Sequence, residues 1–254
     1  MANALNPFKD AIKAGRPQIG MWLSLVSPVA TAVVRDAGLD WLLVDTEHAQ
    51  NDPMEALLHY QILHGGPSTA VTRVAWNDPI LIKRLMDVGY STLLVPYVQN
   101  AEEAKAAVAA TRFPPKGNRG VLLANGANAY GRDPDFLANM EARNCVLVQL
   151  ESAEAVKNLE AIAAVDGVDG VFIGPSDLSA NLGYINRHND EAVQSVIADV
   201  AARAKKIGIP AGIMAYSLAE ARRYLDLGFV FVSVSSELSA LRNAVDNVVK
   251  ELKG

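Results

Sequence analysis

Four short polar clusters, each following an apolar run, hold most of the groups in this chain that could do chemistry: Asp45–Thr46–Glu47–His48, Arg73, Gln149–Leu150–Glu151 and Gly174–Pro175–Ser176–Asp177. Glu151 and Asp177 are carboxylates with no cysteine or clustered histidine beside them. Such a pair suits a hard divalent cation, Mg²⁺ or Mn²⁺, which keeps water and takes substrate oxygens as its remaining ligands. The plain alternative is that each acid caps the helix behind it, Asp177 especially, since Asp is common at helix starts. His48 alone among the four histidines ends an apolar run; His59 and His64 fall in a helical stretch and His188 in a polar one, where exposed or packing roles are the ordinary expectation. Histidine titrates near neutral pH and is the default general base. It needs a partner to fix its tautomer, which Asp87 could be, although a surface pair with Lys83 explains Asp87 equally well. Arg73 either stabilises charge developing on an oxygen or makes a structural salt bridge. The turn Gly174–Pro175–Ser176 could offer backbone amides to a carboxylate or phosphate, or be a turn and nothing more.

Two mechanisms are disfavoured by what is missing. None of the ten lysines ends an apolar run, so the desolvated lysine of a Schiff-base mechanism has no candidate. No G-x-S-x-G elbow occurs, which disfavours a Ser-His-Asp hydrolase.

The clusters must be positioned by strands. Runs rich in Val, Ile and Leu at Ile19–Leu25, Trp41–Asp45, Ala70–Arg73, Thr92–Val95, Cys145–Leu150, Gly170–Ile173, Pro210–Met214 and Phe229–Val234 read as eight strands. Helical spacing follows at Pro28–Ala37, Pro53–His64, Pro79–Val88, Ala101–Arg112, Ala153–Ala164, Glu191–Lys206, Leu218–Leu227 and Leu238–Leu252. Asp52–Pro53 and Asp78–Pro79 are helix starts, and Gly38, Gly89, Gly208 and Gly228 are helix stops. Eight βα units in 254 residues predict an α/β fold, a (β/α)8 TIM barrel, with its active site at the carboxyl ends of the strands. A doubly wound sheet would need fewer strands and a glycine-rich first turn. The chain reads as a single barrel domain, 1–254, with one long polar insertion at about 114–143, expected to cover the site after the fourth strand.

Half of the residues are hydrophobic, which excludes a disordered chain. No apolar run approaches the roughly 20 residues of a spanning helix. With 23 basic and 28 acidic residues the net charge is −5, and no basic face points to nucleic acid. A single cysteine, Cys145, allows no internal disulfide and fits a reducing cytoplasm; the N-terminus lacks the pattern of a signal peptide.

The run Asp40–Trp41–Leu42–Leu43–Val44–Asp45–Thr46–Glu47–His48, then Arg73 with Trp76–Asn77–Asp78, Arg112–Phe113–Pro114–Pro115, Arg119–Gly120–Val121, Gln149–Leu150–Glu151 and Gly170–Val171–Phe172–Ile173–Gly174–Pro175–Ser176–Asp177–Leu178–Ser179, together resemble the HpcH/HpaI family of metal-dependent pyruvate aldolases. That family includes aldolases of 4-hydroxy-2-oxoheptanedioate and of 2-keto-3-deoxy sugar acids. The similarity runs from about Gly20 to the last strand. It implies a barrel whose last helix is exchanged with a neighbour, usually in a homohexamer. It implies a divalent metal (Mg²⁺, Mn²⁺ or Co²⁺) on Glu151 and Asp177, no organic cofactor, and an α-keto acid chelating the metal. Backbone amides of Ser176 and Asp177 would hold the substrate carboxylate, Arg73 the enolate oxygen, and His48, oriented by Asp87, would move the proton. Trp22, Gln149 and Met214 would line the pocket. The implied reaction is reversible cleavage of 4-hydroxy-2-oxo acids to pyruvate and an aldehyde. Leu122 and Leu123, where small residues are expected, and Met214, where leucine is common, depart from the pattern in places where the aldehyde tail would rest. Two alternatives stand beside this reading: a related lyase or synthase acting on an acyl-CoA or phosphoenolpyruvate-type substrate, for which no basic rim is visible, and a non-catalytic barrel that binds a keto acid.

Overall fold

A computed structural model describes residues 5–254. Eight parallel strands, β1 (Gln18–Leu23), β2 (Trp41–Asp45), β3 (Thr69–Arg73), β4 (Thr92–Val95), β5 (Cys145–Leu150), β6 (Val168–Ile173), β7 (Ala211–Ala215) and β8 (Phe231–Ser236), close into a barrel in sequence order, with β8 pairing back onto β1. The helices, numbered along the chain, are α1 (Pro7–Lys13), α2 (Pro28–Arg35), α3 (Pro53–Leu63), α4 (Pro79–Val88), α5 (Ala101–Thr111), α6 (Phe136–Arg143), α7 (Ala153–Lys157), α8 (Leu159–Ala163), α9 (Pro175–Asn181), α10 (Glu191–Ile207), α11 (Leu218–Leu227) and α12 (Glu237–Lys253). No helix among the described residues is long and apolar enough to cross a membrane.

Local chemistry sets the boundaries. The Asp52 side chain caps α3 and Glu55 returns the bond to the Asp52 N–H, a reciprocal capping box, with Pro53 in the first turn. Gly208 and Gly228 end α10 and α11 in the left-handed conformation, which only glycine adopts cheaply. The helical stretch at 153–164 is two short helices hinged at Asn158, whose Nδ2 donates to the Gln99 carbonyl. β8 lies two residues later than its hydrophobic run indicates, because Phe229 packs outside the barrel against Tyr224. That slip carries Ser235 and Ser236 to the strand's carboxyl end.

Two apolar layers hold the barrel. Between strands and helices run Leu42, Val44, Val148, Leu150, Ile173, Ile197 and their neighbours. Inside it, Trp41, Leu43, Leu147, Phe172 and Phe231 fill the lower half. The α1 helix, which has too few turns to show periodicity, plugs the floor with Phe8 and Ile12: Phe8 meets Trp41 and Phe231 edge to face at 6.0 and 5.7 Å. Gly20 and Gly212 permit this packing, since a Cβ at either would stand 2.2 Å from the Trp41 or Phe231 ring. The 114–143 segment differs from expectation. It contains a short 3-10 turn at Gly126–Gly131 as well as α6, and it joins the end of α5 to the start of β5. A helix after a strand runs back toward the strand's beginning, so this segment lies at the floor and flank of the barrel and does not cover the mouth of its own chain.

Candidate active site

A cavity of about 440 Å³ opens at the carboxyl ends of the strands. Trp22, Asp45, His48, Arg73, Gln149, Ser176, Asp177 and Met214 line it, so eight strand-end groups spread over the sequence meet at one spot. Asp45 and Arg73 stand side by side in the β2–β3 register. Arg73 Nε and Nη2 donate to the two Asp45 carboxylate oxygens at 2.9 and 2.7 Å, and Nη1 reaches Glu47 Oε2 at 2.7 Å. The guanidinium also lies over the Trp22 ring, 4.3 Å from its centroid. The structural salt bridge is therefore real, yet it occupies three of five donors and leaves a fixed, charged edge on the cavity. Asp45 Oδ1 accepts from the backbone N–H of Glu47 as well, which shapes the turn that presents His48. His48 itself is 65% exposed and stands 4.0 Å from Glu47.

Glu151 is the most perturbed acid of the site. It is buried, and burial, followed by the nearby Asp177 and Glu47 carboxylates, pushes its pKa up to about 7. Glu47 is raised as well, by burial more than Arg73 lowers it. Glu151 Oε1 accepts from the Tyr97 N–H at 2.8 Å and Oε2 from Gln149 Nε2 at 2.5 Å. Tyr97 holds that amide in place in a left-handed conformation, φ 54°, unfavourable for an aromatic residue. Among the described residues no lysine or arginine bonds to Glu151.

Among the described residues no group of three or more His, Cys, Asp or Glu gathers as a metal cage. The donor set still fits a hard cation that takes most of its ligands from water and substrate. Asp177 lines the cavity, and Glu151 is buried beside it, near enough to feel the Asp177 charge. Gln149 Oε1 is buried without a hydrogen-bond partner. Gly174 leaves space that a Cβ would fill, 2.5 Å from Glu151 Oε2 and 2.6 Å from Gln149 Nε2. Gly174 also gives α9 no side-chain cap, so the first-turn amides of Ser176 and Asp177 have no side-chain acceptor.

Three expectations are corrected. Asp87 is not brought to His48 within the chain: it ends α4 at the opposite end of the barrel, where its Oδ1 accepts from Arg119 Nη2 at 2.7 Å and Asn125 Nδ2 at 3.0 Å. Leu122 and Leu123 do not line the cavity; their carbonyls bind Asn125 and Asn128 within the long connection, and their side chains are exposed. The third is the cover over the mouth described above. Asp45 and Glu47 stood in the strand-end cluster, but their clamp on Arg73 needs the strand register to be seen. His59 does pack, bonded to Thr31 and Asn51.

The sequence profile of the family described as HpcH/HpaI aldolase/citrate lyase matches residues 18–244. The chain belongs to this family. It is 46% identical over 255 residues to a 5-keto-4-deoxy-D-glucarate aldolase of Klebsiella pneumoniae, covering all of both chains. It is 49% identical over 243 residues to a 4-hydroxy-2-oxo-heptane-1,7-dioate aldolase of Salmonella arizonae, covering 95% of this chain and 92% of that one. The crystal structure of an HpcH/HpaI aldolase/citrate lyase family protein from Burkholderia cenocepacia superposes with a TM-score of 0.95 at 37% identity, over 98% of this chain and all of the other.

Proposed function

We propose that this enzyme is a divalent-metal-dependent aldolase that reversibly cleaves 4-hydroxy-2-oxo acids into pyruvate and an aldehyde. The observation that carries the reading is the Glu151–Asp177 pair: a carboxylate raised to about 7 by burial first and by its acidic neighbours second, beside an unpartnered amide oxygen, with no lysine or arginine bonded to Glu151 among the described residues. Relatives named as aldolases across the whole chain support carbon–carbon bond cleavage.

Glu151 and Asp177 would hold the cation; when bound, it supplies a Lewis acid to a keto-acid carbonyl. Arg73, immobilised by Asp45 and Glu47 and stacked on Trp22, adds a preorganised positive edge where the enolate oxygen develops charge. The first-turn amides of α9 and the Gln149 side chain orient the substrate carboxylate and carbonyl. His48, exposed on the cavity rim, takes the proton of the C4 hydroxyl; the C3–C4 bond then breaks, the aldehyde carbonyl forms, and the electron pair left on C3 is protonated to give pyruvate. Among the described residues no lysine lines the cavity.

Assembly belongs to the same reading. Helix α12 carries Leu238, Leu241, Val245, Val248, Val249 and Leu252 exposed at helical spacing, and its one buried residue is Glu237. Val29 and Val33 of α2 and Leu218 of α11 are likewise exposed, on the two helices that flank the eighth helical position. Exchange of α12 between copies of a homo-oligomer, hexameric by resemblance, would cover both faces. The free, buried Cys145 supports a cytoplasmic setting.

The test is pyruvate release from a 4-hydroxy-2-oxo acid. It should stop in EDTA and return with Mg²⁺, Mn²⁺ or Co²⁺, and borohydride with pyruvate should label nothing. Full activity in chelator contradicts the reading.

A further inference from the structure

Asp177 stands in the first turn of α9, and the N-cap of that helix, Gly174, has no side chain to bond the turn. The neighbouring acid leaves room for nothing larger: a Cβ at Gly174 would stand 2.5 Å from Glu151 Oε2 and 2.6 Å from Gln149 Nε2. Seating Glu151 therefore removes the side-chain cap that ordinarily fixes a helix start. The turn that carries Asp177 has to be held by other means.

Ser176, the residue before it, supplies them. Its carbonyl accepts from Ser179 Oγ at 2.8 Å, within the helix. Its hydroxyl meets the Tyr216 hydroxyl at 2.6 Å, a contact that reaches 40 residues along the chain to the turn after β7. Tyr216 is itself fixed from behind. Its ring lies on His188, centroids 4.6 Å apart, and its N–H donates to Glu220 Oε2 at 2.8 Å. Glu220 Oε1 accepts from Asn189 Nδ2 at 2.8 Å and lies 3.3 Å from His188 Nε2, while the His188 carbonyl accepts from Gln194 Nε2 at 2.7 Å. The loop after α9 and the first turns of α10 and α11 thus brace one phenol. Burial raises its pKa above the ordinary value, so it stays a neutral hydroxyl that can give or take the bond with Ser176. Every one of these contacts is made within a single chain.

We propose that Tyr216 is a positioning residue for the cation: through the Ser176 hydroxyl it fixes the turn that presents Asp177. The inference rests on the assignment of Glu151 and Asp177 to a divalent cation, and adds the residue that keeps one of them aimed. Groups that orient a ligand set metal affinity without touching the metal. Tyr216 acts one residue away from the ligand, through a single neutral hydrogen bond, so its share is that of one such bond.

The experiment titrates Mn²⁺ calorimetrically into the metal-free chain at pH 8, for the wild type, Tyr216→Phe, Ser176→Ala and the double variant, with a thermal melt of each to show that it is folded. Tyr216→Phe keeps the ring on His188 and removes only the hydroxyl. It should raise Kd for Mn²⁺ about fivefold, the worth of one neutral hydrogen bond, and Ser176→Ala should raise it by a similar factor. Added to Ser176→Ala, Tyr216→Phe should change Kd less than about 1.5-fold, because the bond it breaks is already gone. An unchanged Kd in Tyr216→Phe means that the ring only packs, and overturns the positioning role. A fivefold loss in both backgrounds means that the phenol acts without Ser176, and overturns it too. Failure of the wild type to bind Mn²⁺ overturns the cation assignment, and the positioning role with it.

Discussion

The two ends of the barrel treat a buried carboxylate in opposite ways. At the floor, Asp169 is nearly covered and has everything an acid needs: Lys13 Nζ at 2.6 Å, Lys9 Nζ at 3.1 Å and the Val146 N–H at 3.1 Å. At the mouth, Glu151 is equally covered, but its charged neighbours are Asp177 and Glu47. The floor is also sealed with aromatic rings from α1, β2 and β8, whereas the mouth leaves the Gln149 side-chain Oε1 and the Trp22 indole N–H unpartnered. A protein that stabilises one acid with two lysines and crowds another among acids has assigned them different work. The floor holds the barrel shut; the mouth is built for a positive charge that arrives from outside the chain.

The difference can be broken first at the mouth. Glu151→Gln should cut aldol cleavage on the order of 10³-fold, by removing a ligand of the Lewis acid. The metal-free variant should nevertheless gain stability at alkaline pH. A carboxyl raised from 4.5 to about 7 keeps its proton in the folded chain through that window, so folding stability falls as pH rises from about 4.5 to 7 and stays low above it. The gain in Tm should therefore appear at pH 8 and vanish near pH 4.5. Phe8→Ala, at the floor, should lower stability by about 3–4 kcal/mol through the cavity it leaves, with kcat changed less than twofold, as thermal melts and steady-state rates will record. Asp169→Asn is the counterpart of Glu151→Gln with the opposite sign: it strands two lysines, and because Lys13 is half exposed the loss should be about 2 kcal/mol. Equal effects of the two acid substitutions on stability would remove the contrast.

The contrast was only partly readable from the sequence. The apolar runs of β2, β4 and β5 end where the strands end, because strands buried on both faces are continuous hydrophobic segments. The polar residues just beyond them, His48, Arg73, Glu151 and Asp177, come together for the same reason: all strands point one way. What was hidden depended on direction or register. Asp87 looked available to His48 in a linear reading, but α4 runs back and delivers it to the other end. The 114–143 segment follows α5 to the floor by the same geometry. The Asp45 and Glu47 clamp on Arg73 required the β2–β3 register, and the place of Ser235 and Ser236 at the mouth required the two-residue slip of β8. Helix α1 is seven residues long, too short to leave a period, and its role shows only in the rings it meets.

Calorimetric titration of the metal-free chain with Mn²⁺, in buffers of different ionisation enthalpy, tests the mouth directly. One cation should bind per chain, with close to one proton released at pH 6 and far less at pH 8, since Glu151 ionises near 7; Glu151→Gln should abolish both binding and release. Binding of equal strength in that variant, or no proton released at pH 6, would contradict the assignment of the Glu151–Asp177 pair to a cation.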